Sequence, residues 1–360
     1  MNAMPLRFSF IVPFHRDLST LARCLRALDA RPPDSDVIIA ADGAVDDCRP
    51  LARRHGARVV DVPGPAGPAT ARNAGAAAAG GDVLVFVDAD VAVSRAGVNR
   101  MVRAIHSEPK TAAVFGAYDE APPDPGFMSQ YKNLSHSFIH QTSAARASTF
   151  WAGFGAVRRE AFERVGGFDE RFVRPSVEDI DLGYRLTAAG YEVVLDPAVS
   201  AAHLKRWTIG SAIVSDVRDR GIPWTQLIWR YGAAGNDLNL RAEYRVSVLL
   251  AYVALGSLLL APYDMRSLIV FMLAVAGLTA ANRRYYRFFY AKRGAWFVTR
   301  VWVAHLVHNL CNGLSFAVGS VLFFAASLGL RLPGSLATAP WSTSLTSPDR
   351  ALEQPRSAAL

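Results

Sequence analysis

Cysteine is scarce in this 360-residue sequence: Cys24, Cys48 and Cys311 are the only three. They are too few and too scattered for a disulfide framework or a zinc spacing, which suits a reducing cytosol. No G-x-x-x-x-G-K-[ST] loop is present, which excludes phosphate binding by that device. No Ser-His-Asp order can be assigned, and internal repeats are absent. The opening "MNAMPLRFSFIVPFHRD" lacks the basic start and long apolar region of a signal peptide. Its short apolar run reads as a first strand.

Charge is also missing from long stretches near the other end. Val246 to Pro262, Ser267 to Asn282 and Leu310 to Leu330 carry none. A bilayer core of about 30 Å wants about 20 apolar residues, so the first two runs are short unless flanking residues extend them. Three such runs in one third of the chain predict a transmembrane region over 241–332, with about three spans near 246–262, 267–282 and 310–330. Gly294 to Asn309, with Arg300, His305 and His308, reads as an interfacial helix or a fourth span. Between the second and third runs, "NRRYYRFFYAKR" holds five basic residues and no acid. The positive-inside rule puts this loop in the cytoplasm, with the soluble domain beside it and "YDMR" outside. The expected location is therefore the cell membrane, multi-pass. The net charge of +8 is explained by anionic membrane lipid and not by nucleic acid. Residues 333–360, rich in Ser, Thr and Pro, are expected to be disordered.

Residues 6 to 120 alternate strand and helix signals. "RFSFIVP", "DVIIA", "ARVVDV" and "DVLVFVD" read as strands, with helical stripes or polar helices between them. That rhythm predicts an α/β fold with a mostly parallel, Rossmann-like sheet. The fourth strand is apolar without alternation, as in a sheet buried on both faces. It ends in Asp88 and Asp90, two apart on an extended chain and so able to face one point. Ligands bind at such strand ends, and a divalent cation relieves the repulsion between paired acids. Turn chemistry is the plainer alternative. Further on, "PSVEDIDLGYRLTAAG" predicts a helix capped by Ser176, with Asp179 at its third position. The dipole of that helix would keep the carboxyl pKa low.

In order along the chain, "FIVPFHRD", "VIIAADGAVDD", "GPATARNAGAAAAGGDVLVFVDADV", "WAGFGAVRREAFERVGGFDE" and "EDIDLGYRLTAAGYEVV" resemble the family 2 glycosyltransferases of the GT-A fold. The resemblance spans roughly residues 7 to 207, and the apolar runs resemble those of membrane-bound members. It implies a GT-A domain over 1–204 followed by C-terminal transmembrane helices. It also implies an inverting transfer from a nucleoside-diphosphate sugar to a hydroxyl of a lipid-linked or glycan acceptor at the cytoplasmic membrane face, with Mg²⁺ or Mn²⁺. Asp90 and His203 would ligate the metal. Pro13, Asp42, Arg72 and Asp88 would contact the donor, Asp179 would be the catalytic base and Glu178 its support. Acceptor contacts are implied at Trp151 and Gly153. "RGIPW" loosely resembles an acceptor-bordering R-W element, which adds Arg220 and Trp224 and competes with simple membrane anchoring by amphipathic helices over 205–240. For His203 the plainer reading is an interfacial histidine, and for Arg72 a solvated helix residue. Two positions depart from the family pattern: Ala41 replaces the first of two acids before Gly43, and His15 replaces an Asn.

Other functions compete. A polyprenyl-phosphate acceptor would not need Asp179, because a phosphate oxygen requires no base. A non-catalytic nucleotide-sugar-binding membrane protein is supported by Ala41 and opposed by the retained acids. A transporter is disfavoured, since three short spans without intramembrane acids make a poor path.

Overall fold

The computed structural model describes residues 6–108, 110–232 and 238–330. The expected disordered tail, 333–360, lies outside them, as do residues 233–237 of the expected interfacial segment. Among the described residues, nine strands form one mixed sheet. The first half follows the β-α rhythm of the sequence: β1 Phe8–Phe14, α1 Leu18–Leu28, β2 Asp36–Asp42, α2 Arg49–Arg54, β3 Arg58–Val62, α3 Pro68–Ala78, β4 Val83–Val87. Then come β5 Val91–Val93, α4 Arg95–Ser107, β6 Thr111–Tyr118, α5 Phe127–Thr142, β7 Arg146–Ala147, β8 Phe154–Arg158, α6 Arg159–Arg164, α7 Glu178–Ala188 and β9 Glu192–His203.

The spatial order is β3-β2-β1-β4-β8-β6-β9-β5, with β7 also beside β9. β1 is parallel to β2 and β4, and β6 to β9, whereas β8 runs antiparallel between β4 and β6. The Gly and Ala content of β8 allows that close insertion: Phe150 lies where a Cβ on Gly155 would stand, at 2.4 Å. Both faces of the sheet are covered. Leu21, Leu25, Val98 and Met101 from α1 and α4 close one side, and Ala69, Phe162, Phe168 and Leu182 close the other. Burial on two faces explains the unbroken apolar run of β4.

Beyond β9 the chain turns helical: α8 Ile209–Val214, a π-helical turn Ser215–Gly221, α9 Ile222–Tyr231, then α10 Ala242–Leu260, α11 Ser267–Ala281, α12 Arg283–Arg293 and α13 Ala295–Ser327. Among the described residues, α10 and α13 are long and apolar enough to cross a membrane. α11 and α12, bent by 68° at Asn282, would make a third span only if taken together. The expected span at 310–330 is the second half of one 33-residue helix, so Gly294–Asn309 is neither a separate interfacial helix nor a fourth span. The basic stretch is itself α12, docked on α5 through Tyr285, Tyr286 and Phe289 against Tyr131, Leu134 and Phe138. Arg293 also donates to Gln130 Oε1 and the Glu120 carbonyl, and Lys292 pairs with Glu120.

Candidate active site

β4 stops at Val87 because the next residues turn: the Val91 N–H donates to the Asp88 carbonyl at 2.9 Å and sends β5 to β9. Asp88 and Asp90 therefore sit in a turn and not on an extended chain, and they face different partners. Pairing of β5 with β9 sets Val91 opposite His203, and Leu204 N–H donates to the Asp90 carbonyl at 2.7 Å. This brings His203 Nε2 to 3.6 Å from Asp90 Oδ2. Nδ1 meets Asn133 Oδ1 at 2.9 Å. With that oxygen as acceptor, Nδ1 carries a proton and the ring is pinned with Nε2 toward Asp90, the orientation of a metal ligand. His203 is buried and stacked on Tyr118, with ring centres 4.3 Å apart. It is not a headgroup histidine. Burial pushes the Asp90 carboxyl upward, but His203 and Lys205 outweigh it and hold the group low.

The donor set of one carboxylate and one pinned imidazole fits a divalent cation. No cluster of three His, Cys, Asp or Glu side chains able to hold a metal exists among the described residues. A cation here would need further ligands from a bound diphosphate and water.

Arg72, on the first turns of α3, is 5% exposed and not solvated. Nη1 donates to Glu178 Oε1 at 2.8 Å and Nη2 to Asp88 Oδ1 at 2.7 Å, joining the acidic turn to α7. Its Nε is buried without a partner among the described residues. Burial works against the guanidinium charge, and Asp88 and Glu178 more than restore it.

Ser176 does not cap α7. Its Oγ donates to the Asp219 carbonyl at 2.7 Å, and the capping position is Val177, with no side-chain bond. Glu178 Oε2 accepts instead from Ser176 N–H at 2.8 Å. Asp179 accepts from Ala152 N–H at 3.2 Å and Ile180 N–H at 2.8 Å. Its pKa is pushed up to about 6 by burial and then by Glu178, with Arg220 and Arg72 pulling the other way. Enclosure outweighs the helix dipole, so the expectation of a low value is corrected.

Asp42 spends both oxygens on a loop, accepting from Ala66 N–H at 2.6 Å and Gly67 N–H at 2.9 Å. Gly67 has φ +100°, and a Cβ there would meet Val173 at 2.6 Å, so the loop needs glycine. His15 Nδ1 lies 2.8 Å from the Asp42 carbonyl and ties β1 to β2 just beyond Pro13. A cavity of about 380 Å³ opens beside the ends of β2 and β3, lined by Ala41, Gly43, Asp46, Asp47, Arg49 and Asp61 among others. Neither Asp88 nor Asp90 lines it.

Trp151 packs edge-on to Tyr118 at 4.7 Å. A Cβ on Gly153 would stand 2.4 Å from its ring. Trp224 is buried against α7, its Nε1 donating to Tyr184 Oη at 3.0 Å, so it faces packing and not the acid cluster. Trp229 Nε1 donates to Ser320 Oγ on α13. Arg220 makes no hydrogen bond or ion pair among the described residues, and its charge acts on Asp179. Sequence reasoning missed Tyr118, Asn133, His136 and His140, which line the same region. The one available signal was the i, i+4 pair in "HSFIH", whose ring centres stand 3.9 Å apart.

The sheet order, the inserted β8 and the acid cluster at the strand ends define a nucleotide-sugar-type α/β domain. The model of "Glycosyl transferase family 2" matches residues 9–166, and that of "N-terminal domain of galactosyltransferase" matches 132–206. Residues 9–166 therefore form a family 2 glycosyltransferase domain. It is 30% identical over 222 residues to validoxylamine A glucosyltransferase of Streptomyces hygroscopicus subsp. jinggangensis, covering 49% of this chain and 48% of the relative. It is 28% identical over 253 residues to the succinoglycan biosynthesis protein ExoA of Rhizobium meliloti, covering 63% and 70%. The chain thus spans about half the length of the first of these relatives. Among solved structures, a mannosyltransferase of Pyrobaculum calidifontis in complex with GDP-Man and Mn²⁺ aligns with TM-score 0.52 and 15% identity, over 89% of this chain and 88% of that one. That likeness concerns the GT-A fold.

Proposed function

We propose that this protein is an inverting glycosyltransferase that moves a sugar from a nucleoside-diphosphate sugar to a hydroxyl of a lipid-linked or glycan acceptor at the cytoplasmic membrane face. The observation that carries the reading is Asp179: an enclosed carboxyl pushed up to about 6, at the N-terminus of α7. A general base works best when its pKa lies near the operating pH. Asp179 would accept the proton of the attacking hydroxyl while Ala152 N–H and Ile180 N–H fix its orientation. Glu178 and Arg72 hold the base's helix against the acidic turn. Asp90 and His203 would hold Mg²⁺ or Mn²⁺, and Asp88 would stand behind them beside Arg72. When bound, the cation would stabilise the charge that develops on the leaving diphosphate. The loop held by Asp42, with Pro13 and the neighbouring cavity, would take the nucleoside. Trp151 and Arg220 would border the acceptor, and Trp224 would support that wall from behind. A phosphate acceptor needs no base, so the enclosed Asp179 favours a hydroxyl.

The membrane reading rests on the helices. Leu249, Leu259, Ile269, Leu273, Phe316 and Val321 are exposed, and lipid is the natural cover for so much apolar surface. Because α12 docks on α5, the basic stretch shares a side with the catalytic domain. The positive-inside rule makes that side cytoplasmic. The test is thermal unfolding of the purified full chain with a panel of nucleoside-diphosphate sugars. Stabilisation by at least one of them that depends on Mn²⁺ or Mg²⁺ supports the reading. No stabilisation across the panel, with or without metal, rejects it.

A further inference from the structure

The π-helical turn Ser215–Gly221 is fixed from three sides. Such turns are rare, occur mostly as single turns within α-helices, and are frequently found at functional sites. Asp216 accepts from Lys132 Nζ of α5 at 2.5 Å and lies 2.9 Å from His308 Nδ1 of α13. Burial raises the Asp216 carboxyl, but His308 and Lys132 overcome it and hold the group well below the usual carboxylate range. On the other side, Ser176 Oγ, two residues before Glu178, donates to the Asp219 carbonyl. α13 also presses on the end of the turn, where a Cβ on Gly221 would stand 2.4 Å from Ser315 Oγ. This turn carries Arg220, whose charge acts on Asp179, His136, His140 and Tyr118 together.

We propose that Asp216 is a positioning residue. By binding Lys132 and His308 it seats the π-helical turn so that Arg220 stands against Asp179, and it thereby links the active site to α13. The proposal rests on the reading of Asp179 as the base. The charges that act on Asp179 are those of Glu178 on its own helix, Arg72 of α3 and Arg220 of the turn, which Ser176 Oγ ties to the start of α7 through the Asp219 carbonyl, and its hydrogen-bond donors are the Ala152 and Ile180 amides. Of these, Arg220 is the one carried on the turn that Asp216 seats. Asp216 itself reaches substrate through none of its contacts.

The experiment needs no substrate. The full chain is unfolded thermally in lipid nanodiscs from pH 4 to pH 9, each background measured with and without Asp179→Asn. An enclosed Asp179 makes the gap between the pair grow with pH and level off at its folded pKa. Arg220→Gln is expected to move that level-off up by about one pH unit. Asp216→Asn is expected to move it the same way with Arg220 still present, and the double variant to move it no further. Lys132→Gln, which keeps one of the two cations on Asp216, is the second variant should Asp216→Asn fail to fold. A smaller upward move is expected from it. A uniform fall in melting temperature with the level-off unchanged in Asp216→Asn and Lys132→Gln would make Asp216 merely structural and overturn the proposal. An unchanged level-off in Arg220→Gln overturns it too. A wild-type protein with no gap at any pH overturns the reading of Asp179 and the proposal with it, an outcome distinct from a fixed level-off.

Discussion

Replacing Arg72 by methionine removes the cation that joins the acidic turn to α7 and keeps most of its volume. The Arg72 side chain is 6% exposed and that of Glu178 5%, whereas Asp88 is 32% exposed. Water screens the Asp88 pair, so its share of the loss is small. Glu178 is different: without Arg72 it becomes a buried carboxylate left with the Ser176 N–H. Breaking a buried pair from one side costs about 3–5 kcal/mol, a large part of the roughly 5–15 kcal/mol that holds a domain folded. The expected fall in melting temperature is roughly 10 °C. Arg72→Met combined with Glu178→Gln removes the stranded charge, so the double variant should recover at least about 1 kcal/mol relative to the sum of the singles. Thermal unfolding of the four proteins at one pH, as a double-mutant cycle, provides the readout. A fall of under about 3 °C for Arg72→Met, or strictly additive losses, would refute the claim that this arginine supports Glu178.

Three further outcomes follow from the same geometry. Asp90→Ala should remove the metal dependence of nucleoside-diphosphate binding measured by calorimetry, and unchanged dependence would take Asp90 out of the site. Asp179 has a folded pKa of about 6 against an ordinary 3.8, so its contribution to stability is complete below about pH 4 and is lost as pH rises through 6. Asp179→Asn should therefore be the more stable protein at pH 8, by about 3 kcal/mol, and equal to wild type near pH 4. An Asn variant less stable than wild type at pH 8 would contradict the burial argument. Single cysteines at Asp264 and Ala291, with Cys24, Cys48 and Cys311 replaced, test the orientation in intact cells. An impermeant thiol reagent should label the first and not the second, and labelling of Ala291→Cys would reverse the assigned side.

The parallel half of the sheet was legible because its strands are local and buried on both faces, so each announces itself as an apolar run. β5 was not, since three residues form a strand only by pairing with β9 far along the chain. The same pairing places His203 by Asp90, a contact that no spacing in the sequence reveals. Ser176 misled because its position fits a cap, yet its hydroxyl is drawn to Asp219 across the fold. Asp179 misled in the same way: the dipole of α7 is visible in sequence, and the enclosure that outweighs it is tertiary. The apolar runs marked the helices well but not their ends, because Gly294–Asn309 is amphipathic where it docks and continues into α13 without a break. For Arg72 the solvated alternative stayed open in the sequence because both of its partners lie on other elements.

The central claim is that Asp179 is the base of a metal-dependent sugar transfer, and its separation of binding from chemistry is the most direct test. Donor binding to the full chain is followed by calorimetry with Mn²⁺, and turnover by release of nucleoside diphosphate in the presence of native membranes as the acceptor source. The expected result for Asp179→Asn is donor affinity close to wild type and turnover lower by about 10²–10⁴-fold. Turnover near the wild-type rate in that variant, with the donor bound, would contradict the account.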